Sequence, residues 1–315
     1  RFERFSSVMR SAVSKDESSS QTTPPTTQAE TPGEDASSRQ LIEPSPFMDH
    51  KCFSNLPSTS NVFFDNLKKG YGLFCTLRRC GELGTSLRQL SGGFQLASET
   101  MLVPATYSHL IPNARIAGGA LLEMANSSYP DFQKLSDEDK KCVAQRRFLQ
   151  ILSLDRSYRS AHYFPHEDTI VLNYCTVMNE KVLTTFFDDC PSTINKADAM
   201  DEVKRSLRHA LLLNKRNFLK VRPTNEEFLA LIGLLLWADE ISNENEALSS
   251  IAERNRAEIL SQLHDFYLKQ GVHEYATRLG DVLCLIESME KMACKMQEDF
   301  HLYRLMNFFD EDFEK

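Results

Sequence analysis

The chain has little of what most chemistry requires. One tryptophan occurs in 315 residues, and the eight cysteines, at 52, 75, 80, 142, 175, 190, 284 and 294, never fall in a C-x-x-C pair. That spacing excludes the common zinc and dithiol motifs and reads as reduced, mostly buried thiols in a cytosolic or nuclear protein. No metal or other cofactor is expected. Basic residues are outnumbered, 36 to 44, and the net charge of −8 with a sequence pI of about 5.6 makes this stretch a poor general nucleic-acid binder. Long apolar runs are missing too. The longest, Phe228 to Ala238, is too short to cross a bilayer, and Arg1 to Arg10 has no apolar segment of the secretory kind. No phosphate-binding G-x-x-x-x-G-K-[ST], no G-x-S-x-G and no H-E-x-x-H occurs, so no enzyme class is indicated. His162 and His166 stand four apart, but Pro165 interrupts any helix joining them, and Asp188-Asp189 has Ser192 where a third acid would be needed.

What is present is helix. Residues 1–60 stand apart: they hold six of the twelve prolines and a dense load of serine and threonine, as in SKDESSSQTTPPTTQAETPGEDASSRQ. Such a segment buries too little apolar surface to offset its ordering entropy, so a disordered hinge or linker is expected there, with one folded domain over 61–315. In that domain Phe63, Leu67, Tyr71, Phe74 and Leu77 recur near one helical face, weakened by Gly70 and Gly72. Residues 85–105 are ambiguous. ARIAGGALLEMANSSYPDF suggests a helix ending before Pro130. Ser136 to Asp139 is a capping-box pattern opening a long helix with Val143, Ala144, Phe148, Ile151, Leu152 and Tyr158 on its apolar side. The alternation in DTIVLNYCTV, Asp168 to Val177, predicts one short strand or hairpin.

Helices then resume. One is expected over Asp201 to Phe218, with a basic face of Lys204, Arg205, Arg208, Lys215 and Arg216. A second capping box at Thr224 to Glu227 opens EFLALIGLLLWADE, apolar nearly all round and therefore central. Its L-x-x-L-L stretch, Leu231 to Leu235, is read as buried core. A helix over Asn245 to Gln270 is expected to stop at Gly271. Leu279, Val282, Ile286, Met289, Ala293, Met296 and Phe300 then step by alternating threes and fours, a stripe that suits a core on one side and a second subunit on the other. The fold class is all-α, eight to ten helices with almost no strand and no repeat of fixed period.

Two arginines late in the long helix, Arg156 and Arg159, need a carboxylate, a phosphate or carbonyl oxygens if they face the core. Two readings stay open: exposure or an i, i+4 pair of Asp155 with Arg159, or an anchor for an acidic ligand. The last residues, LYRLMNFFDEDFEK, form an amphipathic acidic segment. Its carboxylates oppose the dipole of their own helix, so packing must hold it.

The order of these features resembles the ligand-binding domain of nuclear hormone receptors, of the divergent nematode type. The stretch DFQKLSDEDKKCVAQRRFLQILSLDRSYR is similar to the family signature F-x-x-L-x-x-x-D-Q followed by an apolar helix. Phe132, Leu135 and Asp139 match, and Lys140 stands for the glutamine. EFLALIGLLLW, YATRLGDVLCLIESME and LYRLMNFFDEDF follow in the family's order. The resemblance implies a multilayer helical sandwich with one small β-hairpin, acting in the nucleus as a ligand-regulated or orphan receptor that controls transcription. It implies a last helix that closes a pocket and completes a groove for a coactivator or corepressor peptide. Glu311 would face the incoming helix N-terminus, with Phe308, Phe309 and Phe313 as packing residues. The family's groove lysine falls here on Ser127 and its usual arginine on Gln145; Lys134 or Arg146 could take their place. A pocket for a small lipophilic ligand would be lined by Leu121, Leu122, Met124, Phe148, Ile151, Leu152, Leu283, Ile286 and Met289, with Arg156 and Arg159 as polar anchors. A homo- or heterodimer is implied. DNA contact would come only through a zinc-finger module not present in this chain, of which RFERFSSVMR reads as the basic tail. The competing class is an all-α interaction scaffold without a ligand.

Overall fold

The computed structural model describes residues 47–48, 62–87, 102–208, 212–238 and 246–305, all within one compact unit spanning 42–308. Ten α-helices lie among them: α1 (Val62–Leu87), α2 (Leu110–Ser128), α3 (Pro130–Gln133), α4 (Asp137–Tyr163), α5 (Glu180–Phe186), α6 (Lys196–Ser206), α7 (Leu212–Val221), α8 (Asn225–Leu236), α9 (Glu246–Lys269) and α10 (Ala276–Leu305). The strands are β1 (Val103–Pro104), β2 (Ile170–Val171) and β3 (Thr176–Met178). The all-α class and the small β element stand as the sequence predicts. The terminal segment carrying Phe308, Phe309, Glu311 and Phe313 lies outside the described residues, as does most of 1–60.

The helix starts are chemically explicit. Ser136 caps α4, its hydroxyl accepting the Asp139 N–H at 3.1 Å, while Asp137, Glu138 and Asp139 place negative charge in the first turn. Thr224 and Glu227 form a reciprocal box on α8: Glu227 N–H donates to Thr224 Oγ1 (3.2 Å), and Thr224 N–H donates to Glu227 Oε2 (2.7 Å). Gly271 beyond α9 has φ +74°, the left-handed conformation that stops a helix cheaply only in glycine.

Helix α4 is the axis of the domain. Helices α2, α7, α8 and α10 and strand β2 pack on it, with α1 laid along α2 and α9 along α8. Helices α8 and α10 meet through Arg278, which grips both oxygens of the buried Glu227 (2.8 and 2.6 Å) and also donates to the Val221 and Arg222 carbonyls at the end of α7. The β2–β3 hairpin is antiparallel as expected, and β1 adds a parallel third strand, Val103 opposite Thr176. Helix α8 is buried along its length, and Leu231, Leu234 and Leu235 are core residues.

Four local expectations need correction. The helix expected over Asp201 to Phe218 begins earlier, at Lys196, turns π-helical at Leu207 and Arg208, and is helical again from Leu212, residues 209–211 lying outside the described residues. Lys215 is not on a solvated basic face; it is buried and donates to the carbonyls of Glu167 and Thr169. The buried face of α1 runs through Phe64, Leu67, Tyr71, Phe74, Cys75, Arg78 and Glu82, while Leu77 is exposed. Gly70 does not weaken α1 so much as let it approach α2: a Cβ there would sit 1.9 Å from Ser128 Oγ and 3.1 Å from the Met124 carbonyl.

Candidate functional site

Three charged residues, Asp155, Arg156 and Arg159, stand in the second half of helix α4, where it meets α1 and the hairpin. Asp155 is fully buried and receives Arg78 Nη1 at 2.5 Å and the Tyr71 hydroxyl at 2.8 Å, both from α1. Arg78 also donates through Nε to Glu82 (3.1 Å), whose second oxygen accepts the Cys175 N–H (3.1 Å). Asp155 is therefore committed to Arg78, and the local pair with Arg159 that sequence spacing allowed does not form.

Arg159 is fully buried. Its Nη2 donates to the Tyr174 carbonyl (2.9 Å), its guanidinium lies 3.8 Å from the Tyr174 ring centroid and 5.5 Å from that of Tyr163, and its Nε and Nη1 have no hydrogen-bond partner. Arg156 donates through Nε to the Leu172 carbonyl at 2.5 Å. Burial, assisted by the nearby Arg78 charge, pulls Arg156 down to about 10. Burial works against the Arg159 charge as well, but Asp155 and the Tyr174 ring outweigh it and hold its pKa above the ordinary value. Three guanidinium groups thus lie near two carboxylates, Glu82 and Asp155, both bonded by Arg78, so the cluster carries an excess positive charge in a place where charge is costly to leave uncompensated.

Beside it lies a small polar cavity lined by Ser153, Arg156, Ser157, Ser160, Ile170 and Asn214, of about 10 Å³, room for about one water. A wider cleft of about 360 Å³ lies between Asp168, Glu180, Leu207, Arg208, Leu212 and Arg216, where Arg208 pairs with Glu180 and Arg216 with Asp168 (3.5 Å). None of the nine apolar residues expected to line a pocket borders either space. Leu121, Met124, Ile151 and Met289 belong to the packed core, Leu152 is buried, and Leu122, Phe148, Leu283 and Ile286 are part-buried against that core. The arginine pair is brought to the hairpin carbonyls, a juxtaposition the sequence did not suggest. Its serine-rich surroundings were missed, although Ser153, Ser157 and Ser160 recur along α4 at helical spacing on the side of Arg156.

On the opposite end of α4, Gln145 is exposed and Lys134 is largely so, resting on Asp131 (3.4 Å), which Arg254 of α9 also holds at 2.6 Å. Ser127 is exposed at the end of α2. Helix α10 is locked to α4 by Glu290, which accepts from Arg147 (2.9 Å) and Gln150 (3.0 Å). Among the described residues no cluster of three or more histidine, cysteine, aspartate or glutamate side chains is arranged to hold a metal, and no helix is long and apolar enough to cross a membrane.

Comparison with known proteins adds to this geometry. Residues 120–306 match the family described as the ligand-binding domain of nuclear hormone receptor. Similar curated proteins include the high zinc activated nuclear receptor protein of Caenorhabditis elegans, 22% identical over 81% of this chain and 63% of its own length. They also include nuclear hormone receptor family member nhr-28 of Caenorhabditis briggsae, 24% identical over 70% of this chain and 50% of that protein, and nhr-57 of Caenorhabditis elegans, 27% identical over 60% of this chain and 52% of that protein. The chain thus spans about half to somewhat under two thirds of the length of these relatives.

Proposed function

Since this chain belongs to the family of nuclear hormone receptor ligand-binding domains, we propose that it is the regulatory domain of a nuclear transcription factor, and that it recognises a small lipophilic acid. The observation that carries the ligand class is the cationic excess at the end of α4: Arg159 has two unsatisfied N–H groups, and Arg156 borders a cavity edged by three serines. A carboxylate there supplies the missing charge and accepts the free donors. The space beside Arg156 holds about one water, so a lipid tail enters only with rearrangement of α7 and β2, and the ligand acts by stabilising that alternative packing.

The coregulator surface in this reading runs past the exposed Ser127, Lys134 and Gln145; Glu311, Phe308, Phe309 and Phe313, which the family likeness would add to it, lie outside the described residues. A second receptor subunit is the remaining partner. The exposed side of α10, with Gly280, Cys284, Glu287, Lys291 and Cys294, is where it would sit, and sedimentation velocity of the full chain reads it out. A second reading, a domain that works without any ligand, is favoured by the packing of Leu121, Met124, Ile151 and Met289 into solid core.

Thermal unfolding of the full chain with oleate and with oleyl alcohol separates the two. The acid raises the melting temperature, the alcohol of equal length does not, and Arg156→Gln reduces the effect of the acid. Equal shifts from both remove the carboxylate from recognition, and none from either leaves the ligand-free domain as the reading that stands.

A further inference from the structure

The seat lies at the last two turns of α4, beside the arginine cluster but outside it. Phe47 stacks on His162 with ring centroids 3.8 Å apart and planes at 5°, lies over Tyr158 at 5.0 Å and 26°, and meets the edge of Tyr163 at 5.1 Å. The Arg159 guanidinium is 6.0 Å from its ring centroid. Met48 is 1% exposed and belongs to the main core, and its N–H donates to the Tyr158 hydroxyl at 2.7 Å; that hydroxyl in turn donates to Asn225 Oδ1 on α8 at 3.2 Å. One aromatic ring, one thioether and one main-chain donor are thus received by a set of groups that converge on them.

The pair comes from the middle of the segment whose composition reads as linker, and Pro46 immediately before it brings no N–H of its own. Phe47 is only half-buried, and the His162 ring on which it stacks is exposed, so water reaches the outer side of the stack. Two anchored side chains are set against the entropy of ordering the chain that bears them, a close contest in which release is accessible.

We propose that the carboxy-terminal turns of α4 are a docking seat whose occupant is the chain's own Phe47–Met48 pair, and that the pair is a releasable latch on that seat. This goes beyond the ligand reading and does not depend on it.

The test uses the full chain and a fluorescent peptide covering residues 42–54, with Cys52 replaced by serine. A tethered pair competes at an effective concentration in the millimolar range. The Phe47→Ala/Met48→Ala variant therefore binds the peptide at least about ten-fold more tightly than the wild type does, and adding His162→Ala weakens that binding again. A peptide with alanine at both anchor positions does not bind. Equal binding to wild type and variant, or none to a variant that still unfolds cooperatively, overturns the seat. The wild type supplies a second arm that needs no variant. The Met48 amide exchanges with solvent at least about ten-fold faster than the interior amides of α8, and a rate equal to theirs overturns release. A wild type whose latch is seated in a second copy shows concentration-dependent dimers, and that result overturns the intramolecular assignment.

Discussion

Replacing Asp155 by asparagine tests whether the buried cluster stabilises the fold through its charge or only through its shape. The amide keeps the size of the carboxyl and one acceptor oxygen, so Tyr71 or Arg78 retains a partner, but the balance changes from three cations against two anions to three against one. Arg78 and Arg159 are fully buried, and their nearest remaining carboxylate is Glu82, already shared with the Cys175 N–H. Losing one member of a buried pair costs about 3–5 kcal/mol, because the other charge stays behind without compensation. Against a total of roughly 5–15 kcal/mol for a domain, that loss is large and shows directly in urea unfolding followed by far-ultraviolet circular dichroism, with an unchanged m-value. The exposed i, i+4 pair of Glu287 with Lys291 is the control, and Glu287→Gln leaves the midpoint unmoved. A drop of under about 1 kcal/mol for Asp155→Asn, in the range of a surface pair, refutes the reasoning: the cluster would then be hydrated or held by hydrogen bonds alone.

Two other outcomes are expected. Gly233→Ala places a methyl 2.3 Å from the Tyr129 hydroxyl and 2.7 Å from Ile259 Cδ1, and costs about 1–3 kcal/mol by overpacking; since that hydroxyl is buried without a partner, Tyr129→Phe is tolerated alone and recovers part of the loss in the double variant, read by urea midpoints. Glu311→Ala weakens an L-x-x-L-L peptide by about 1–3 kcal/mol in anisotropy titrations, and an unchanged affinity removes Glu311 from the coregulator groove.

Much of this fold is legible because local chemistry and tertiary need agree. The capping box at Thr224, the serine cap at Ser136, the glycine beyond α9 and the apolar α8 each announce themselves within four to twelve residues, the range in which periodicity and turn chemistry operate. What escaped reading depended on partners distant in the chain. Arg78 and Glu82 look like solvated residues of an amphipathic helix, and only Asp155, 77 positions away from Arg78, turns them inward. Lys215 is likewise claimed by carbonyls 46 and 48 residues earlier. Strand β1 is two residues long and has no period to detect. At the site, residue type pointed to Arg156 and Arg159, because arginine on a core-facing helix demands an explanation. Their surroundings depended on how the hairpin and Asn214 close around α4.

The two α4 arginines also have a mechanical consequence. Each hangs on a carbonyl of the β2–β3 turn, Leu172 for Arg156 and Tyr174 for Arg159, and β1, which leads into α2, hangs in turn on β3. The hairpin, β1 and the first turn of α2 are strung in series from two guanidinium pegs. An anion that drew those pegs away from their carbonyls would loosen the hairpin, β1 and the start of α2 together.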